Sequence, residues 1–347
     1  MIHRKGIFIF TFLFLLLLKN FYIIASCLMK NMKKDLLHEW LCRFCFILGL
    51  GLLTACNIIP SEKNSSYVRI NLNDTSDGYK ALLPMDIIPS SKVAVAAMIS
   101  PKETFVYYKA LINYISKKTG VKMQIIQRKT YEDVNNLLKN NRVDMAFICS
   151  GAYVALRKEG IPVKIVAVPV INGKTTYQAY IITYKSSGIK NFRDLKGKSF
   201  AFTDPLSNTG YFYAISRIKL LGYNKNTFFK NFVFTHAHDI SIQLVAKQLV
   251  DGASVDGLIY DYLQRFHPKR LKNVRIIEKS PFFGIPPIVV PASTPDSTLR
   301  KLQHVLFQMD KDTLGVKILK KILIDRFVPA KDSLYNSIRT MDKIIGP

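Results

Sequence analysis

From residue 92 onward, short runs of β-branched and small apolar residues alternate with stretches whose apolar positions recur at helical spacing. The run KVAVAAM at 92–98 predicts a buried strand. A helix over 103–118 follows, with Phe105, Tyr108, Leu111, Ile112 and Ile115 on one face. The same reading predicts strands at 121–127, 143–148 and 163–171, helices at 131–140 and 152–158, and a strand at 177–184 suited to crossing between lobes. The pattern then restarts, with strands at 199–203, 232–235, 253–259 and 274–278 and helices at 210–221 and 240–250. PFFGIPPIVVPAS (281–293) fits a return crossing and an edge strand, because proline cannot donate to a ladder. Three helical patterns, 295–309, 312–323 and 330–341, end the chain.

Alternating strands and helices predict an α/β fold with mostly parallel sheets. Two such blocks joined by crossing strands predict two lobes with a cleft between them. The expected layout is a first part of lobe 1 at 91–184, lobe 2 at 185–272, and a return to lobe 1 with the closing helices at 273–347.

The pattern before residue 91 is different. Residues 40–56 read WLCRFCFILGLGLLTAC, preceded by the basic Met32-Lys33-Lys34, which is the order of a secretory signal. Its last four residues, Leu53-Thr54-Ala55-Cys56, resemble a bacterial lipobox, so Cys56 is expected to be lipidated and residues 1–55 to be a leader. A further apolar run at 6–18 is short for a membrane span. It suggests that translation starts at Met29 or Met32. Residues 56–90 are rich in Ser, Asn, Asp and Pro without a sustained period and read as a tether. The expected location is therefore the periplasmic, extracytoplasmic face of a bacterial membrane.

Hydrophobic content of 49% and charged content of 21% are ordinary, whereas a net charge of +26 is not. The leader carries seven basic and two acidic residues, leaving about +21 on the rest, a field that draws in anions. The basic residues are spread along the whole chain rather than gathered in a patch, which argues against nucleic acid as a partner. Of five cysteines, Cys27, Cys42, Cys45 and Cys56 lie in the leader or at its end, so Cys149 remains alone and no disulfide framework is expected.

In sheets of this kind ligands sit at strand ends and helix starts. Thr203-Asp204-Pro205-Leu206-Ser207-Asn208-Thr209-Gly210 runs from one into the other and can form an anion cradle of exposed N–H groups; a plain helix cap fits it equally well. Ser100-Pro101-Lys102-Glu103 has the form of a capping box. In Cys149-Ser150-Gly151-Ala152-Tyr153, the residues Ser150 and Tyr153 are candidate hydroxyl donors. Nothing local supports Cys149 as a nucleophile, and it reads as a small buried hydrophobe. His238 is a candidate oxyanion partner, His236 a surface or packing residue, and no second His/Cys cluster points to a metal or cofactor. Asp256 falls within the buried strand at 253–259. A carboxylate facing an anion can accept a proton from a ligand P–OH or receive a ligand amine. Asp251 and Asp261 compete with it as helix-end or surface acids.

Four stretches together resemble the phosphate/phosphite/phosphonate-binding proteins of ABC transporters, the PhnD-like branch of the type 2 periplasmic binding fold. They are VAVAAMISPKETFVYYKALINYISKKTG (93–120), VDMAFICSGAY (143–153), DLKGKSFAFTDPLSNTG (194–210) and HDISIQLVAKQLVDGASVDGLIYD (238–261). The resemblance implies a monomeric, non-enzymatic protein whose lobes close on a small phosphorus oxyanion and which then docks to an ABC permease. It implies that Ser207, Asn208, Thr209 and Gly210 hold the anion, that Tyr107, Tyr153 and Tyr177 line the cleft, and that His238 and Asp256 complete the site. Asn208 stands where the family often has Thr or Ser, Gly257 where Ser is common, and Asp239 where phosphonate binders often have Glu. The last of these departures weakens the case for an aminophosphonate ligand relative to phosphate or phosphite. A sensor that presents its bound form to a membrane kinase is the alternative, and an enzyme using Cys149 ranks last.

Overall fold

In a computed structural model the structure describes residues 90–96 and 101–346, without the side chains of residues 101–107. The leader, the tether, Cys56, Met29, Met32, Ser100 and the side chain of Tyr107 lie outside the described residues.

Two sheets organise the chain. The first contains β1 (Ser91–Ala96), β2 (Met123–Arg128), β3 (Met145–Phe147), β4 (Val163–Val170), β12 (Ile288–Pro291) and β13 (Arg326–Val328), in the order β13-β4-β12-β3-β1-β2. The second contains β6 (Ala179–Tyr184), β7 (Ser199–Phe202), β8 (Asn231–Phe234), β9 (Gly252–Asp256) and β10 (Val274–Lys279), in the order β10-β6-β9-β7-β8. A short antiparallel ribbon, β5 (Thr176–Tyr177) with β11 (Phe283–Gly284), joins them. The two-lobed α/β expectation holds.

Each sheet has a parallel trio at one end, β2-β1-β3 in the first and β8-β7-β9 in the second. The strands that arrive from the opposite lobe, β6 and β12, run antiparallel to their neighbours. They start at the cleft, where β1, β3, β7 and β9 end, so their direction is necessarily reversed.

Several expectations are corrected. Both β6 and β10 pair within the second sheet, so residues 179–184 and 274–279 belong to lobe 2 and not to lobe 1. The strand after the prolines is not an edge. It lies between β3 and β4, with Pro286 and Pro287 before its ladder and Pro291 at its last position, so its interior N–H groups remain free to pair. The edge strand on that side, β13, falls in a stretch read as a break between helices. The strand expected at 253–259 stops at Asp256, where a helix begins, because the Asp256 side chain accepts the N–H of Leu258 and caps it.

The helices are α1 (Pro101–Thr119), α2 (Tyr131–Lys139), α3 (Ser150–Lys158), α4 (Tyr213–Leu220), α5 (Lys225–Phe228), α6 (His238–Ala246), α7 (Gly257–Phe266), α8 (Asp296–Phe307), α9 (Thr313–Lys321) and α10 (Asn336–Ile345). Local chemistry sets several of their starts. Thr130 and Asp133 form a reciprocal capping box at α2, whose Val134, Leu137 and Leu138 are buried. A π-helical turn, Asn208–Phe212, leads into α4, and the Ser207 hydroxyl caps it by accepting the Gly210 N–H.

The end of β7 is held by rings. Phe200 stacks on Phe229 with centroids 4.3 Å apart, while Phe202 meets Tyr211, Phe232 and Phe234. Such pairs contribute roughly 0.5–1.5 kcal/mol each beyond burial. They fix the strand exit at Thr203 and Asp204.

Where the chain crosses between lobes, Ala179 and Ser280 bond to each other twice. The Ala179 N–H donates to Ser280 Oγ at 2.8 Å and the Ser280 N–H donates to Ala179 O at 2.9 Å. The hydroxyl in turn donates to Pro281 O. Removing it leaves the buried Ala179 N–H without that acceptor. Ser280→Ala is expected to lower unfolding stability by about 1–3 kcal/mol in urea denaturation, and an unchanged midpoint and slope would refute this account of the crossing.

Candidate functional site

The carboxyl ends of β3, β7, β8 and β9 lead into the N-termini of α3, the π turn, α6 and α7. The first N–H groups of each helix have no intrahelical partner and carry the positive end of the helix dipole. Converging N-termini therefore set up a positive potential without a single lysine or arginine.

The π turn and α3 come from different lobes and touch closely. A Cβ on Gly151 would lie 2.4 Å from Leu206 O and 2.8 Å from Asn208 N, so only glycine permits this approach. Asp204 bridges the lobes: its Oδ2 accepts the Tyr131 N–H at the start of α2 at 3.1 Å, and its Oδ1 accepts the Leu206 N–H at 2.9 Å. A second bridge runs through side chains. The Tyr177 hydroxyl lies 2.6 Å from Ser150 Oγ and accepts from Asn208 Nδ2 at 3.1 Å.

His238 is the first residue of α6 and is buried. The backbone N–H of Asp256 donates to its Nδ1 at 3.0 Å. A main-chain N–H can only donate, so Nδ1 is the acceptor and the ring proton sits on Nε2. The Thr203 hydroxyl, also 3.0 Å from Nδ1, then faces it as a donor. Burial pushes the imidazole down to about 3, which keeps it neutral at physiological pH. Gly210 leaves the room this needs, since a Cβ there would meet Thr203 at 2.5 Å and the His238 ring at 3.0 Å.

Among the described residues, His238 Nε2, Thr209 Oγ1 and Tyr131 Oη are buried polar atoms with no partner within the protein, as is Asn208 Oδ1. A buried hydroxyl or imidazole N–H left unpaired costs about 1–3 kcal/mol. Three such potential donors beside converging helix N-termini match the needs of an oxyanion: several hydrogen bonds directed at one small centre. The acceptor atoms would suit a ligand that still carries a proton.

Asp256 supplies the main acceptor. Burial pushes its carboxyl up to about 7, against the opposing pull of the Leu258 and Ile259 N–H groups. It lies within electrostatic reach of Tyr108, Tyr131, Tyr177 and Cys149. Burial likewise raises the Cys149 thiol to about 11, although the N–H groups of Asn208, Gly151 and Ala152 favour its thiolate. The thiol stays protonated, which makes it a poor nucleophile.

The structure thus brings Ser150, Tyr177, Ser207, Asn208, Thr209, Gly210, His238 and Asp256 into one neighbourhood. Ser207 acts there as a cap. Tyr153 does not join them. Its hydroxyl donates to Asp332 at 2.6 Å and its ring packs on Tyr335, which turns it toward α10. The bland competitors have separate tasks: Asp251 accepts from the N–H and hydroxyl of Ser199, and Asp261 accepts from the Tyr180 hydroxyl. His236, with a left-handed φ of 58°, leaves β8 with its Nδ1 3.6 Å from Asp204. Tyr131 and Tyr108 are neighbours that the sequence reading did not select, whereas Thr203 was read only as part of the cradle segment and Cys149 only as a small buried hydrophobe. Tyr131 and Cys149 also lie where a strand exit meets a helix start, the signal that selected the others.

Comparison with known proteins places the chain in a family. The family model described as the periplasmic substrate-binding protein of phosphonate ABC transporters matches residues 93–335. The phosphonates-binding periplasmic protein of Escherichia coli is 25% identical over 217 residues, 60% of this chain and 62% of that protein. The phosphate-import protein PhnD of Mycolicibacterium smegmatis is 25% identical over 142 residues, 40% of this chain and 42% of that protein. The matched region therefore spans less than two thirds of either relative. A binding protein component of an ABC phosphonate transporter from Pseudomonas aeruginosa superposes with a TM-score of 0.67 at 21% identity, covering 73% of this chain and 85% of that one. PhnD1 of Prochlorococcus marinus, solved in complex with methylphosphonate, superposes with a TM-score of 0.66 at 17% identity, covering 73% and 96%. These two likenesses establish the fold, a type 2 periplasmic binding fold. With the family model spanning both lobes and the crossings between them, the chain belongs to the phosphonate periplasmic substrate-binding proteins of ABC transporters, which bind and do not catalyse.

Proposed function

We propose that the protein captures a phosphorus oxyanion (phosphate, phosphite or a phosphonate) outside the cytoplasm and delivers it, as a monomer, to an ABC permease. The observation that carries this reading is the set of buried, unpartnered donors Thr209 Oγ1, His238 Nε2 and Tyr131 Oη at converging helix N-termini. Ser207 and Gly210 shape the turn. Asn208, Ser150 and Tyr177 hold the two lobes together around the anion, and Asp204 latches them through the Tyr131 N–H. Opening breaks these bonds, and a ligand that satisfies the donors favours closure. The excess positive charge draws anions toward the cleft.

Asp256 sets the selectivity. Above about pH 7, where Asp256 is ionised, its carboxylate beside the cradle accepts the proton of a monoprotonated phosphorus acid and repels sulfate, which has no proton to offer. Thermal unfolding of the purified protein should move upward with phosphate, phosphite or methylphosphonate and not with sulfate. The stabilisation corresponds to about 2.7 kcal/mol at a hundredfold excess over Kd. An equal shift with sulfate would remove the role of Asp256, and no shift with any of these compounds would remove the oxyanion reading.

The same residues carry a proton signature. Burial raises Asp256 from its ordinary 3.8 to about 7 and lowers His238 from 6.5 to about 3. Between about pH 4 and 6.5 the unfolded chain protonates His238 and not Asp256, while the folded chain does the reverse. The two slopes of stability against pH then cancel. A raised carboxyl contributes stability below its unfolded value and loses it as pH rises through the folded one. In ligand-free protein, Asp256→Asn should gain stability relative to wild type by up to about 1.4 kcal/mol per pH unit between about pH 4 and 7. Parallel denaturation profiles for variant and wild type would show that Asp256 titrates normally.

We further propose that Cys56 carries a lipid and that the segment up to residue 90 tethers the lobes to the membrane surface. Metabolic labelling with an alkyne fatty acid should mark the wild-type protein and not Cys56→Ser, which should leave the membrane fraction. Label retained by the variant would place the anchor elsewhere.

A further inference from the structure

One groove of lobe 1 shares no residue with the cleft. There α1 and α9 pack side by side, and a depression of about 360 Å³ runs between them. Each helix contributes residues spaced i, i+3, i+4 and i+7, from Ala110 to Lys117 on α1 and from Leu314 to Lys321 on α9, so each turns one continuous stripe to the groove. The buried Tyr114 and Ile318 form its floor, and Leu314 stands 48% exposed beside them.

Every charged side chain that lines the groove is a lysine: Lys117, Lys317 and Lys321. All three are exposed, and among the described residues none has an ion-pair partner. The acid nearest in sequence to Leu314, Asp312, is already engaged. It caps α9 by accepting the Gly315 N–H and pairs with Lys118 at 2.6 Å. An apolar floor ringed by cations suits a partner with anions above hydrocarbon. Lysine stems cover apolar surface while the ammonium reaches outward, and a point charge on a long stem accepts phosphates in any lateral arrangement. A phospholipid surface with anionic headgroups meets both requirements, with the exposed leucine entering the acyl boundary.

The place where the chain enters the lobe agrees. β1 begins at Ser91, whose N–H donates to Lys122 O at 2.8 Å, and Ser91 and Thr119 line one recess. The segment 56–90 therefore joins lobe 1 beside the last turn of α1, which carries Lys117. A tether of that length has a reach of on the order of 35 Å, so an anchor at Cys56 would hold this end of the lobe close to a bilayer.

We propose that the α1–α9 face is a membrane-contact surface that seats lobe 1 on anionic phospholipid. It goes beyond the ligand reading and holds whichever anion the cleft takes. The Cys56 anchor raises the local concentration of lipid without supplying the contact.

Leu314→Trp in a Trp40→Phe background leaves a single tryptophan, beside the lysines. Protein purified from bacterial membranes is reconstituted on phosphatidylcholine vesicles with or without phosphatidylglycerol. Its emission is expected to shift to the blue only with phosphatidylglycerol and to return in high salt. Lys117→Gln combined with Lys317→Gln and Lys321→Gln is expected to weaken docking on the order of a hundredfold and to abolish the shift. Lys230→Gln combined with Lys247→Gln and Lys272→Gln, three exposed positions of lobe 2, is expected to leave it in place. An unshifted spectrum on anionic vesicles, an equal shift on phosphatidylcholine alone, or an equal loss in the two triple variants would overturn the proposal. Sedimentation with phosphatidylcholine vesicles reads the anchor by itself, so a failure of the Cys56 reading is seen separately.

Discussion

The main-chain N–H of Asp256 has one chemical option, to donate, and it meets the imidazole of His238. That single bond fixes which ring nitrogen carries the proton, and so leaves the other, buried and without a partner in the protein, as a donor. It also ties the end of β9 to the start of α6, bringing two helix N-termini to the same point. The close approach of Gly210 to Thr203 and the ring, and the bond from Ser254 Oγ to Thr209 O, serve this arrangement. A site that needs a neutral imidazole in one orientation does not need a nearby carboxylate to enforce it. The peptide group does so wherever the buried ring is neutral.

The electrostatic plan is unusual for so basic a chain. Among the described residues, the cluster is built without a lysine or arginine side chain. The surface charge acts at long range and is screened by salt, whereas the cradle works through dipoles and hydrogen bonds at contact distance. In the proposed reading, attraction and recognition are carried by separate parts of the molecule.

Much of the architecture was legible from hydrophobic spacing, because buried parallel strands and amphipathic helices each leave a period in the chain. Strand exits into helix starts then pointed to most of the cluster. Features that depend on a distant partner were less accessible. Tyr153 and Ser150 look alike as cleft-facing candidates on one short helix, yet Asp332 and Tyr335, far along the chain, turn Tyr153 away. In GASVDGLIYDYL the apolar run continues past Asp256, so periodicity extended the strand through the cap that ends it. Proline suggested an edge for β12, but what matters in a ladder is which N–H is missing, and here the prolines fall outside the paired interior. Tyr131 begins a helix, and helical spacing alone gave no sign that its hydroxyl would be buried without a partner in the protein.

The paired bonds between Ala179 and Ser280 have an architectural implication. Everything from β6 to β10 departs from and returns to one spot, so lobe 2 is topologically a single excursion from a chain that otherwise builds lobe 1. An element whose two ends are neighbours can be exchanged as one contiguous stretch of coding sequence, without altering the strand order of its host. Recombination across that one junction would carry the turn at Ser207, His238 and Asp256 together. A scaffold of this kind can therefore acquire a complete new half-site in one genetic event, while the lobe 1 framework is inherited unchanged.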